Sequence, residues 1–349
     1  GDSLDLTVSD LFNAFSELSN APQDMALRRN VLNKADALAD QFRTINSDIA
    51  SITEQTVEAG EGMLSRVNII LQNLHDINET IYNAYASNSA NNEVKDEQVR
   101  LLTELSELVD ADISFTEAGT ASVQLGGTVL LNDAFVADLK AESSAAGHFF
   151  NVRSEATRNI EIQGGKLGGI VQMVENEIPA INQNLDELAE SIVTEVNVLH
   201  ATGYGIVDDN QRVFFNSAGL SADSIEVNGL IRENVGHIAA SSRPGEAGNN
   251  EHAILISKLR DQNALNGRSL IENTIRLMTE PGRSLNDLES KISTKQSVIN
   301  MLKSQQDAVS GVDMDEELSN LIKFQNSYQA SARALRTAQQ MLDTLISII

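Results

Sequence analysis

Apolar residues recur at alternating steps of three and four along several long stretches of this chain, the spacing of a helix that packs its seam on another helix. One series runs Val31, Ala35, Leu38, Phe42, Ile45, Ile49 and Ile52. It weakens through Thr56 and Ala59 beside Gly60 and Gly62, then resumes out of phase as Met63, Val67, Ile70, Leu74, Ile77 and Ile81, a stutter of the kind that locally unwinds a coiled coil. Ile178, Ile181, Leu185, Leu188, Ile192, Val196 and Leu199 form another, with Pro179 expected to kink the helix or start a turn. A further series is Leu285, Leu288, Ile292, Lys295, Ile299, Leu302, Gln306 and Val309. The last runs Leu321, Phe324, Tyr328, Ser331, Leu335, Ala338, Leu342, Leu345 and Ile349 to the end of the sequence. Ser310-Gly311 breaks the helix before it, and Asp313 with Glu316 forms a capping-box start. Such a helix is marginal alone, and its spacing fits a bundle within the chain as well as a partner outside it.

The period changes to two in DISFTEAGTASVQLGGTVLLND and again in HFFNVRSEATRNIEIQGG, which predicts a small antiparallel sheet around Gly119 and Gly126-Gly127. Shorter helices are expected over VSDLFNAFSELSN, ended by Pro22, over roughly residues 96–109, and near residues 250–263. Residues 204–249 are rich in Gly and Asn, with strand-like pieces such as RVFF and SIEVNGL. The predicted fold is mainly α with a small β subdomain: an elongated antiparallel helical bundle or coiled coil with an inserted antiparallel β region. The expected partition is a helical core half at 1–110, the β subdomain at 111–168, a long core helix at 169–203, an irregular segment at 204–249, the other core half at 250–312 and an assembly helix at 313–349.

Composition narrows the function. Aromatics make up 4% and Trp is absent, which suits helices packed through Leu, Ile and Ala better than a deep aromatic pocket. A formal charge of -25 disfavours nucleic acid and anionic membrane surfaces as partners. Without cysteine there is no disulfide, thiolate nucleophile or Cys-ligated zinc, and no run reaches the roughly 20 apolar residues that span a bilayer. His75, His148, His200, His237 and His252 form no metal-ligand pair. GGKLGG lacks the residue order of a phosphate loop and reads as a turn between sheet and helix. VDDNQRVF has the acidic residues of a calcium loop without its Gly or distant Glu, and Asp313, Asp315, Glu316 and Glu317 suit a helix start. Neither catalysis nor a cofactor is expected.

The closing stretch SGVDMDEELSNLIKFQNSYQASARALRTAQQMLDTLI resembles the C-terminal segment shared by bacterial flagellar axial proteins. LFNAFSELSNAPQDMALRRNVLNKADALADQF, DEQVRLLTELSELVDADISF with SVQLGG, and GGKLGGIVQM with NVLHATGYG together resemble the flagellar hook-associated protein 1 (FlgK) family, which joins hook to filament. The resemblance covers the chain from about residue 9 onward. It implies a structural protein of the flagellum, exported through the flagellar type III apparatus and extracellular when assembled. It also implies as partners further copies of the chain, the hook protein, the second hook-associated junction protein and an export chaperone on the C-terminal helix. Leu321, Phe324, Tyr328, Leu335, Leu342, Leu345 and Ile349 would form the assembly and chaperone interface. The resemblance further implies that the sequence starts after a helical segment that pairs with the closing helix, and that an outer β domain after RVFF is reduced or missing here. The alternatives are a hook or distal rod protein and, from another class, a signalling coiled coil, against which the β region argues.

Overall fold

The computed structural model describes residues 3–87, 89, 92–144, 147–154 and 159–310. The chain divides into two units, Gly1–Thr279 and Glu280–Ile349. Long helices dominate, joined by small antiparallel sheets.

In the first unit α1 (Leu4–Asn20) buries the face predicted for it, including Val8, Leu11, Phe12, Phe15 and Leu18. The chain reverses through Pro22, and Asp24 caps α2 (Met25–Ala86) by accepting the Ala26 N–H at 2.7 Å and the Leu27 N–H at 3.4 Å. Lys34 pairs with Asp10 and Asn30 donates to Glu17, so α1 and α2 form an antiparallel hairpin. The sequence stutter does not break α2, which is one helix of 62 residues, about 93 Å at 1.5 Å per residue. The stutter appears instead as a gap in packing. Between Phe42 and Leu64 only Thr53 and Gly60 are buried.

The two ends of α2 serve different cores. Upstream, Val31, Ala35, Leu38 and Phe42 join α1 and α5 (Ile178–His200), from Leu185 onward, around Phe214 and Phe215. Downstream, Leu64, Val67, Ile70, Leu71 and Leu74 join α3 (Asn92–Leu108), the sheets and α4 (Gly165–Gln172). The tertiary packing of both ends outweighs the cost of about 1 kcal/mol for a glycine within the helix.

The β region is two three-stranded sheets where the sequence pattern suggested one. The first orders β1 (Asp112–Phe115), β2 (Ala121–Leu125) and β3 (Thr128–Leu131), the second β4 (Leu139–Ser144), β5 (Gly147–Ser154) and β6 (Asn159–Ile160), with every pairing antiparallel. Gly126 and Gly127, at φ +54° and +73°, make the tight β2–β3 turn. Helix side chains explain the separation. Asn68 accepts the Leu139 N–H at 2.9 Å and donates to its carbonyl at 2.8 Å, occupying the edge of β4 that a neighbouring strand would need. Asn78 grips the N–H and carbonyl of Ala121, at the start of the central strand β2, in the same way, at 2.8 and 2.7 Å.

GGKLGG is the sheet-to-helix turn expected of it. A Cβ on Gly165, at φ +71°, would lie 2.5 Å from the Leu108 carbonyl, so this glycine permits close approach to the end of α3. Between α4 and α5 lies a π-helical turn, Met173–Glu177, immediately before Pro179. Proline has no N–H for the carbonyl of Glu175, and the widened turn carries the helix past it without a break.

RVFF and SIEVNGL do not form strands. Phe214 and Phe215 are fully buried and their N–H groups both donate to the Asn197 side chain, at 2.9 and 2.8 Å, while Asn197 donates to the Phe215 carbonyl at 3.1 Å. A side-chain amide thus replaces the neighbouring strand, leaving an isolated Phe215–Val227 bridge. After the short α6 (Gly229–Glu233) comes α7 (Glu251–Lys258). A hairpin of β7 (Asn263–Leu265) and β8 (Arg268–Ser269) turns on Asn266-Gly267, both at positive φ. A capping box then starts α8 (Leu270–Ser310): Ser269 donates its N–H to Glu272 at 2.9 Å, and the Glu272 N–H returns to the Ser269 hydroxyl at 3.2 Å.

Replacing Asn197 with Ala strands the buried N–H groups of Phe214 and Phe215. Urea unfolding should register a loss of about 2 to 6 kcal/mol, from about 1 to 3 for each of the two groups.

Candidate assembly surface

The second unit is described through residue 310, and every residue of α8 from Glu280 to Gln305 is exposed. Pro281 and Gly282 are no barrier to the helix. Its apolar series lies open. Leu285 is 58% exposed, Leu288 53%, Ile292 65%, Ile299 44% and Leu302 54%, with Val298 and Met301 also exposed. The first unit buries its series instead: Leu185, Leu188, Ile192 and Val196 of α5 are at most 1% exposed. Lys291, Lys295 and Lys303 lie along the same exposed stretch of α8. A row of Leu and Ile at steps of three and four offers knobs to a partner helix. Covering the five seam residues would contribute about 5 to 10 kcal/mol, at about 1 to 2 for each half-exposed side chain.

The predicted interface residues Leu321, Phe324, Tyr328, Leu335, Leu342, Leu345 and Ile349, like the Asp313–Glu316 cap, lie outside the described residues. The seam of α8 leads directly toward them in sequence.

Two of the residues considered for chemistry, Lys166 and Asp208, have structural partners. Lys166 pairs with Glu107 at 2.9 Å. Asp208 accepts from both terminal nitrogens of Arg212, at 2.7 and 2.6 Å, and from the Asn210 N–H at 3.1 Å; the Arg212 hydrogen bond, foremost, holds its carboxyl far below the ordinary range. Among the described residues no cluster of His, Asp or Glu is placed to hold a metal ion, and no helix is long and apolar enough to cross a membrane. Arg28 is fully buried although no spacing pattern singles it out. Its Nε donates to the Pro22 carbonyl at 2.8 Å and its Nη1 to the Ile238 carbonyl at 2.5 Å, and burial lowers its pKa to about 10. The only hint was its place just after the Pro22 turn.

The model of the flagellar hook-associated protein FlgK helical domain matches residues 1–215, and that of the flagellar basal body rod FlgEFG protein C-terminal matches residues 303–348. Flagellar hook-associated protein 1 of Salmonella typhimurium is 21% identical over 449 aligned positions, covering 99% of this chain and 81% of the relative. The protein of the same name from Bacillus subtilis is 23% identical over 388 positions, covering 99% and 76%. The solved structure of the flagellar hook junction protein FlgK from Burkholderia pseudomallei shares the fold with a TM-score of 0.56 at 19% identity. The match covers 62% of this chain and 41% of that one.

Truncation separates the buried series from the open one. Leu38→Ala, in the first core, should cost about 2 to 5 kcal/mol in urea unfolding, whereas Leu288→Ala should stay within about 0.5 kcal/mol of the parent chain.

Proposed function

The chain belongs to the flagellar hook-associated protein FlgK family, and from that membership we propose that it is a structural, non-catalytic protein of the junction between hook and filament. The observation that carries the reading is the pairing of two family matches with two apolar seams. The helical-domain match takes in the whole of the core around Leu64–Val174 and the part of the other core that runs up to Phe215, and the rod-type C-terminal match takes in every proposed interface residue except Ile349.

The seam of Leu321, Phe324, Tyr328, Leu335, Leu342, Leu345 and Ile349 is the proposed contact with neighbouring axial subunits, and the exposed stripe on α8 extends it upstream. In an open helical lattice such contacts join different surfaces of successive subunits. The partners are further copies of this chain, the hook protein and the second junction protein. Before assembly an export chaperone covers the closing segment, as an exposed apolar stripe requires of a protein kept monomeric. The site of action is extracellular, reached through the flagellar type III apparatus.

The outer domain expected after RVFF is reduced. In support, the helical-domain match ends at residue 215, and the Salmonella typhimurium alignment has 449 positions against 349 residues here, so about 100 positions of the relative have no counterpart. Phe215 is rejoined within a short loop by its bridge to Val227. The six segments bounded at 110, 168, 203, 249 and 312 remain the proposed functional partition.

Exchanging Leu342 for Asp in the source bacterium should leave hooks in place, remove filaments, and release filament subunits into the medium, as seen by electron microscopy and immunoblotting. Loss of the hooks themselves would assign the chain to the hook or distal rod, and unaltered motility would remove the seam from assembly.

A further inference from the structure

Three of the chain's five histidines meet where α5 ends. His200 is fully buried beside Phe214, with ring centroids 5.2 Å apart. Its Nε2 receives the Ala239 N–H at 2.8 Å, and its Nδ1 lies 2.7 Å from the Arg212 carbonyl. A backbone N–H can only donate, so Nε2 is the bare nitrogen and Nδ1 carries the ring's one proton toward Arg212. The first contact exists only while the ring is neutral.

That ring fastens two irregular segments to the helices. The Tyr204 N–H donates to Ser241 at 2.9 Å, the Ile206 N–H to Gly236 at 2.8 Å, and the Ala240 N–H to Tyr204 at 3.1 Å. The approach is close. A Cβ on Gly203 would fall 2.8 Å from the His252 ring, and one on Gly205 would fall 2.4 Å from the Gly236 carbonyl. His252 on α7 contacts the Thr202 hydroxyl at 3.1 Å, and Arg28 on α2 holds the Ile238 carbonyl from the other side.

The charges around this layer disfavour a second proton on His200. Arg28 comes from α2 and binds backbone carbonyls only. Arg212 and Asp208, on the loop after α5, already engage each other. His237 sits with Nδ1 3.9 Å from Asp208, and on α7 His252 adjoins Glu251, whose carboxylate accepts from the Ser242 hydroxyl. Both carboxylates facing the layer are occupied.

We propose that His200 is an acid-released pin: protonation of Nε2 expels the Ala239 N–H and frees residues 236–241, with residues 201–207 that are hydrogen-bonded to them, from α5 and α2 while the long helices persist. Burial, the largest cause, holds the closed ring's pKa down at about 4; the Arg212 carbonyl opposes this, and His252, Arg28 and Arg212 push further down. Once released, the ring regains its ordinary value of about 6.5. The open layer therefore binds the extra proton first. Closure is at full strength above about pH 6.5 and weakens as the pH falls toward about 4, so the opening constant rises about 20-fold between pH 7 and pH 5.

Hydrogen exchange of the full chain at pH 7 and pH 5, corrected for the intrinsic rate and followed by mass spectrometry, tests this. Peptides from 201–207 and 236–241 should gain about 20-fold in opening, and those from α1 and β1–β3 should not change. His200→Gln keeps an acceptor near Nε2 that does not titrate in this range and should erase the difference, whereas His237→Gln and His252→Gln should retain it. The wild-type chain decides alone if the Gln variant does not fold. Opening that is independent of pH, that starts outside these segments, or that vanishes in the His237 or His252 variant would overturn the proposal.

Discussion

A buried extended segment must find partners for its backbone groups, and in this chain helices carry them. Asn68 and Asn78 on α2 and Asn197 on α5 each grip both the N–H and the carbonyl of one residue, Leu139, Ala121 and Phe215 respectively. An amide side chain presents one donor and one acceptor, the same pair that a neighbouring strand would offer. The grip lets short strands and irregular loops lie against a helix without a large sheet of their own. Asn68 and Asn78 stand about three turns apart on α2, so one helix holds both sheets.

That dependence explains what could be read beforehand. Heptad spacing located α2 and α5 because burial on one face imposes it, and Gly126-Gly127 marked a turn because only a residue free of Cβ adopts its angles easily. The strand reading of RVFF failed because apolar content cannot tell whether a backbone pairs with a strand or with Asn197. LNGRSLIE contained both a hairpin turn and a capping box, each legible in principle. With strands of three and two residues, no alternation drew attention to them.

For the candidate surface, periodicity showed that residues 285–309 and 321–349 carry seams, though not whether a seam is covered. The structure resolves this for α8 between Leu285 and Leu302, where the stripe is open, in contrast to the buried one on α5. The gathering of His200, His237 and His252 was out of reach. These residues are far apart in sequence and are brought together by turns whose glycines are dictated by close approach.

The sparsely packed middle of α2 has a mechanical consequence. A shaft seated at either end in a separate core transmits push and twist between them through a continuous ladder of backbone hydrogen bonds. Its compliance is concentrated between Phe42 and Leu64, where few neighbours stiffen it. Load applied at one seat is therefore shared with the other through elastic deflection of the span, and neither core has to yield first.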